Sequence, residues 1–274
     1  MASKVSIQGF EGSFHQIAAQ QFFGKGVEIL PCATFREVVE STKTKQTTAS
    51  VMAIENSIAG SILANYNLLH KSNLAIVGEI YLPIRQHLLV NPGVKLEDIQ
   101  EVHSHPIAIL QCMDYLVNHN WKLVETEDTA LSAKHIHQRK SKHIAGIAGK
   151  LAAELFQLEI AAENIHTEKA NYTRFLVLQR EKLDVQNADK ASISFYTDHS
   201  RGSLAKVLTR IAECGINLSK QQSFPIPGSN WKYNFHADME FEAIDQFESV
   251  MKKIKPVTEQ TKVYGVYKNG KTKK

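Results

Sequence analysis

Three stretches of the 274-residue sequence carry small and hydroxyl residues where a strand-like run gives way to a helix-like one. They are Gly9-Phe-Glu-Gly12-Ser13, Glu55-Asn56-Ser57 followed by Gly60-Ser61, and His103-Ser104-His105-Pro106. A helix N-terminus offers unused backbone N–H groups, so several of them at the carboxyl ends of parallel strands form a receptor for a small, carboxylate-rich ligand. Singly, each junction carries less weight, because a Ser or Asn before a helix is most often a plain N-cap contributing about 1 kcal/mol. A fourth stretch, Asn171-Tyr-Thr-Arg-Phe175, opens a strand. Strand periodicity puts Asn171, Thr173 and Phe175 on one face and Tyr172 with Arg174 on the other. Polar groups on a buried strand need partners, so Asn171 and Thr173 are either structural hydrogen bonders, the commoner case, or site residues.

What is missing narrows the chemistry. Gly9-x-x-Gly12-Ser13 is not the dinucleotide fingerprint and no P-loop sequence occurs, so neither a nicotinamide nor a nucleotide cofactor is expected. His103 and His105 could share a strand face, but no third ligand is placed with them, and His135 and His137 lie two apart on a helix and face apart. No metal is expected. Hydrolase motifs of the Gly-x-Ser-x-Gly and HExxH kinds are absent. Cys32, Cys112 and Cys214 are too few and too scattered for a disulfide framework, which fits reduced thiols and a cytoplasmic protein. Residues 1–9 lack the pattern of a secretory signal, and no apolar run approaches the ~18 residues of a membrane span. The net charge of +4 sits partly in the tail 268–274, which reads as a solvated end without the aromatic-interleaved basic stripe of a nucleic-acid binder. A hydrophobic fraction of 43% with 22% charged residues predicts a folded chain.

The elements that must position these residues follow from periodicity. Residues 5–9 read as a strand and 13–23 as a helix capped by Ser13 and stopped by Gly24, with Phe14, Ile17, Ala18 and Phe22 on one face. Strand 28–31, helix 34–41, strand 50–54 and a helix from near Ser57 continue the alternation that predicts a parallel sheet. Runs 74–80 and 84–90 flank Tyr81-Leu-Pro83, read as a crossing between two lobes because proline interrupts a central strand. Strand 100–103, helix 106–118, strand 122–124, helix 128–139, strand 144–147, helix 150–158 and strand 172–178 complete the pattern. Residues 181–190 are polar and aperiodic, a linker. Beyond them come strand 191–196, helix 203–214 with Gly215 after it, strand 216–222, a turn through 225–228, strand 231–239, helix 243–253 and strand 262–267. This order, βαββαβ, is the ferredoxin-like arrangement, with Leu204, Val207, Leu208 and Ile211 as the core face of its first helix.

Taken together, Gly-Phe-Glu-Gly-Ser-Phe-His15, Ile-Glu-Asn-Ser57 with Gly-Ser61, Ser-His-Pro106 with Gln111-Cys112, and Asn-Tyr-Thr-Arg-Phe175 resemble the ordered signatures of the prephenate dehydratases, across residues 5–178. The C-terminal segment is similar to an ACT domain, the amino-acid-sensing module attached to many of these enzymes. The resemblance implies an α/β fold: a two-lobed catalytic domain (1–180) like the type II periplasmic binding proteins, and a ferredoxin-like ACT domain (191–270). Its lobes would be 1–80 plus 160–180, and 81–159. By the same resemblance Thr173 is the main catalytic residue, assisted by Asn56 and Glu55. Ser13, Ser57, Ser104, Gln111, Asn171, Arg174 and Phe175 are the substrate-binding set. Glu55 has two roles open to it, proton transfer or anchoring a loop, and regular alternation turns Arg174 away from Thr173.

The reaction so implied removes the ring carboxylate of prephenate as CO2 and its hydroxyl as water, and aromatisation drives it without a cofactor. What the protein must supply is a hydrogen bond to the leaving hydroxyl, orientation, and a dry place for the carboxylate to leave. Helix N-termini after Gly12 and Ser104 would receive carboxylates. An amino-acid effector is implied at the ACT interface, with Gly202, Ser203, Leu204, Asn217, Gln222 and Ser223 around it, and with a homodimer or homotetramer. The Glu-Ser-Arg-Pro signature of phenylalanine binding stands here as Gln222-Ser223-Phe224-Pro225, which predicts weak or altered feedback. Two rival readings remain: arogenate dehydratase, the same chemistry on the aminated substrate, and a two-lobed solute sensor without turnover.

Overall fold

The computed structural model describes residues 4–183, 185–198, 200–226 and 232–271. Contacts divide the chain into two compact units, residues 1–72 with 80–176, and residues 73–79 with 177–274.

In the first unit a sheet begins with Glu28–Cys32, Lys4–Gln8 and Ala49–Asn56, paired in parallel. It continues through Tyr172–Gln179 to Ala75–Pro83 at its edge, the last two strands running on into the second unit. Strand Ala49–Asn56 is almost continuously apolar and buried, as a strand covered on both faces must be. Helices Phe14–Phe23 and Phe35–Lys43 start where Ser13 and Thr34 accept the N–H of Gln16 and Glu37. Phe22, expected on the inner face, is 42% exposed, and Ala18 with Ala19 fills that face instead. Pro83 does not break its strand but ends it at the sheet edge, where a missing N–H costs no ladder bond. The crossing falls after it, since His87–Val90 already belongs to the second sheet.

That second sheet has the order Glu159–Ala162, His87–Val90, Ile144–Ala148, Glu101–Ser104, Lys122–Glu125. Its first two pairings are antiparallel and its last two parallel. Three helix expectations change in this first unit. The helix expected over 150–158 stops at Leu155, and residues 159–162, not foreseen as a strand, add to the edge, so residues 160–162 go with the second sheet. The helix expected over 106–118 is two short ones, Pro106–Gln111 and Met113–Leu116. At the break the Gln111 carbonyl accepts from Thr167 N at 2.8 Å, and Tyr115 N turns to Cys112 instead. The helix expected from Ser57 begins at Leu63: Asn56 Oδ1 accepts from Ile58 and Ala59 N at 3.0 and 2.9 Å, folding the chain back into a two-residue strand, Gly60–Ser61.

The second unit holds an antiparallel sheet in the order Asn217–Pro225, Tyr233–Glu240, Lys190–Tyr196, Gln260–Tyr267, with helices Ser203–Ala212 and Ile244–Ile254. The chain order is βαββαβ as expected. Val207 and Ile211 pack with Ile193, Phe195, Met239, Val250 and Ile254 in its core. The expected turn at 225–228 and the start of the strand at Trp231 lie partly outside the described residues. Lys190, expected to end the linker, is fully buried as the first residue of its strand, paired with Glu79 at 2.9 Å and Glu240 at 3.6 Å. A cation without such partners could not be taken from water there.

Candidate active site

Between the two sheets of the first unit lies a cavity of about 330 Å³. Ser13, His15, Asn56, Gln86, Gln111, Asp128, Thr173 and Phe175 are among its walls, and none of its described lining residues is Lys or Arg. The first-sheet lobe supplies Thr173 and Asn56. Asn56 Nδ2 donates to Thr173 Oγ1 at 3.0 Å and to Asn171 Oδ1 at 2.8 Å. Because the Asn56 oxygen is held by the two turn amides, its nitrogen must face Thr173, which fixes the amide's orientation. Asn171 in turn donates through Nδ2 to Gln111 Oε1 at 3.1 Å. The amide network therefore donates outward from Asn56, to Thr173 on one side and through Asn171 to Gln111 on the other. Its two ends, the Thr173 O–H and the Gln111 Nε2–H groups, are donors left for a ligand.

The apolar side of the cavity includes Phe175, buried on the same strand face as Thr173. His15 stands edge-on to Phe175 at 4.9 Å between centroids and tilted to Phe35 at 5.5 Å. Burial lowers its pKa to about 4, and its Nε2 has no hydrogen-bond partner among the described residues. The ring is a neutral imidazole at pH 7. Ser13 caps the helix Phe14–Phe23, Gly12 N donates to Gln16 Oε1 at 2.7 Å, and Ser13, Phe14 and His15 of this turn line the cavity. Gly12 and Gly9 take φ of +87° and +92°. Gly12 abuts Ala152 of the second-sheet lobe, where a Cβ would come 3.0 Å from Ala152 Cα.

Not every expected residue reaches the cavity. Ser104 is fully buried and donates to the Ile147 carbonyl at 2.7 Å, so it ties two strands and does not meet a ligand. The helix after it lost its role as a carboxylate receiver too, since Pro106 has no N–H and Ile107 N is taken by His105 Nδ1 at 3.2 Å. Ser57 donates to Ala170 O and accepts from Tyr172 N, clipping the turn to the strand that carries Thr173. Arg174 is buried with its guanidinium 5.9 Å over the Tyr81 ring and faces away from Thr173, as alternation required. Glu55 does not line the cavity and pairs across the hairpin with Ser61. His103 is bonded to Glu101 at 2.8 Å and is not among the described residues lining the cavity. His15, Gln86, Asp128 and Thr129 are wall residues the sequence did not single out. A histidine directly after Ser13-Phe14 was the one available signal, for it had to face the same junction.

The fold and site define a two-lobed α/β protein with a cavity lined by neutral hydrogen-bonding side chains and by the start of the helix Phe14–Phe23. The model of the family described as prephenate dehydratase matches residues 5–183. The bifunctional chorismate mutase/prephenate dehydratase of Aquifex aeolicus is 33% identical over 267 residues, 96% of this chain and 73% of its own length. Arogenate dehydratase/prephenate dehydratase 1 of Arabidopsis thaliana, a chloroplastic protein, is 36% identical over 259 residues, 88% of this chain and 66% of its own. The structure of prephenate dehydratase from Arthrobacter aurescens in complex with L-Phe is 26% identical, with a TM-score of 0.87 over 97% of this chain and 90% of that one. GqqA, described as a novel type of quorum quenching acylase, is 29% identical, with a TM-score of 0.88 over 97% and 98%. The chain belongs to the prephenate dehydratase family.

Proposed function

We propose that this chain is a cofactor-free carbon–oxygen lyase that converts prephenate to phenylpyruvate in the first unit. The observation that supports this reading is the amide network in which Asn56 donates to Thr173 on one side and, through Asn171, leads to Gln111 on the other. With its lone pair engaged by Asn56, the Thr173 hydroxyl is left to donate to the leaving oxygen. A threonine is a feeble acid, so its part is a positioned hydrogen bond that strengthens as the C–O bond breaks. The oxygen leaves with the bonding pair, takes up a proton and becomes water. The C–C bond to the ring carboxylate breaks, CO2 departs, and that electron pair completes the aromatic ring. Phe175 and His15 keep this end of the cavity dry, which favours loss of a carboxylate as neutral CO2. Gln111 orients the substrate, and the N-terminal turn after Ser13 receives a carboxylate.

The second unit we assign as an ACT-type regulatory domain, supported by its βαββαβ order and by the L-Phe bound to the Arthrobacter relative. Gly202 (φ +79°) starts its first helix, Ser203 bonds Thr197, Leu204 packs on the core, and Asn217 donates to Glu240. Gln222 donates to the Ser223 carbonyl, and Phe224 is buried, so neither offers the charge that an ammonium or carboxylate effector would seek. Free cysteines Cys32, Cys112 and Cys214 favour a reducing compartment, the cytoplasm, and self-association through the second unit follows from the same assignment. Among the described residues no helix is long and apolar enough to cross a membrane.

The test is incubation with prephenate, with and without a chelator, following phenylpyruvate. Full turnover in both samples is expected. A strict metal or nicotinamide requirement overturns the mechanism, and binding without turnover favours the sensor.

A further inference from the structure

The second unit has a cavity of its own beside the last strand of its sheet. At about 420 Å³ it has the size of an ordinary small-molecule site. Strand Gln260–Tyr267 supplies one wall and residues 73–75 another. They come together because Gly265 has no side chain: a Cβ there would lie 1.9 Å from the Ile76 carbonyl oxygen. Arg180 and Lys182, where the chain has just left strand Tyr172–Gln179, add a third side.

The charges on these walls are of one sign. Arg180, Lys182 and Lys262 line the cavity, and no Asp or Glu is among its described lining residues. Lys262 Nζ donates to Asn73 Oδ1 at 3.3 Å and stands 5.2 Å over the Tyr264 ring, so an amide and an aromatic face, both neutral, hold it in place. Burial lowers the Lys262 pKa, and the positive charge of Lys182 lowers it further. Two ammonium groups kept close repel each other, and a bound anion relieves that cost. With its oxygen engaged by Lys262, the Asn73 amide has N–H groups to offer a ligand. A lysine on a sheet edge commonly guards against strand pairing. That accounts for Lys262 but not for Arg180 and Lys182, which belong to another segment and meet it across a cavity.

A monocarboxylate would neutralise one of the three cations. A phosphate group carries a larger charge and more acceptor oxygens, which suit an arginine fork and two ammonium groups together. We propose that Arg180, Lys182 and Lys262 form a phosphate-binding site, which takes inorganic phosphate or the phosphate end of a small organic ester. It is separate from the amino-acid position assigned above, because Gln222 and Ser223 lie on strand Asn217–Pro225 at the other edge of the same sheet.

The experiment is isothermal titration calorimetry of the full chain at low ionic strength, in a buffer free of phosphate, with inorganic phosphate, glycerol 3-phosphate and acetate. Saturable binding of one phosphate group per chain is expected, with acetate at least about tenfold weaker. Tighter binding of glycerol 3-phosphate identifies an organic ester as the preferred form, and equal or weaker binding identifies the free anion. Lys182→Gln and Lys262→Gln should each weaken phosphate binding at least about tenfold, as for loss of a charge-assisted hydrogen bond. Lys182 is exposed, so its variant keeps the test decisive even where Lys262→Gln disturbs the fold. Lys252→Ala removes the same charge from helix Ile244–Ile254 and should leave binding unchanged. Absence of saturable phosphate binding overturns the inference. So does a loss in Lys252→Ala equal to that in Lys182→Gln, which would reflect net charge alone. Binding is read without turnover, so neither result bears on the prephenate reading.

Discussion

Thr173 and His15, which packs on Phe175 two residues along the same strand, both line the cavity and serve it differently. Replacing Thr173 with Val keeps the volume but removes the donor, and Asn56 Nδ2 then loses one acceptor while keeping Asn171 Oδ1. The expected result is a kcat lower by roughly 10²-fold or more with a smaller change in KM, because the hydrogen bond grows mainly in the transition state. Steady-state kinetics checks this, and a kcat within a few-fold of the parent removes Thr173 from the mechanism. For His15 the argument concerns stability. Its pKa falls from 6.5 to about 4 on folding, so between these values only the unfolded chain takes up the proton. Stability from this group is therefore intact above pH 6.5 and drains away as pH falls toward 4, by about 2 kcal/mol at pH 5. His87 and His166 are shifted down as well and add slopes of the same sign. Denaturant titrations at pH 7 and pH 5 should show His15→Phe losing less stability than the parent, by about that amount. Equal losses would mean that the imidazole titrates normally.

Among the elements, the loop between the first strand and first helix matters most, because it brings the lobes together through glycine. Gly12 has a φ of +87° and no room for a side chain against Ala152. Gly12→Ala should cost about 1–2 kcal/mol for the left-handed backbone alone. It should also wedge the second-sheet lobe away from Ser13, raising KM for prephenate. Thermal unfolding and kinetics read the two effects separately, and a variant with parent KM would show that the lobes tolerate a methyl group there. The hairpin at 56–61 is a second example of an element serving one side chain. Its turn amides occupy the Asn56 oxygen, and Ser57 fastens the turn to residues 170 and 172.

On the scale of the whole molecule, the most consequential interaction outside the site is the fully buried pair Lys190–Glu79, which the backbone N–H of Gly270 also serves at 3.1 Å from Glu79 Oε1. Lys190→Met strands a buried carboxylate and should destabilise the chain by about 3–5 kcal/mol, whereas adding Glu79→Gln should recover much of the loss. Chemical denaturation of the full-length variants tests both, and a near-neutral single substitution would show that water reaches Glu79. Regulation belongs to this scale too. Phenylalanine should inhibit weakly, and Gln222→Glu should strengthen inhibition, both read from activity titrations. Phenylalanine inhibition at micromolar levels that this substitution leaves unchanged would detach the signature from effector binding. Phe224→Arg is a poor companion, because Phe224 is buried and a guanidinium there would lack solvent.

The local rules of the chain were enough to place much of this architecture. The cap at Ser13 and the βαββαβ order of the C-terminal unit follow from short-range periodicity and turn chemistry, which a sequence carries residue by residue. So does the common face of Asn171, Thr173 and Phe175, and so does the family resemblance. Tertiary structure decided the rest, because it depends on partners distant in the chain. Ser104 looked like a ligand contact until the Ile147 carbonyl, 43 positions on, took its hydroxyl. The helix expected from Ser57 gave way to a hairpin bonded to residues 170–172, and the helix at 106–118 broke where Thr167 captured the Gln111 carbonyl. Asp128 was only the first residue of an expected helix, 128–139, and the meeting of the two lobes put it with Ser13 in the cavity wall. A cap needs only its own helix, whereas a binding site needs two lobes that meet.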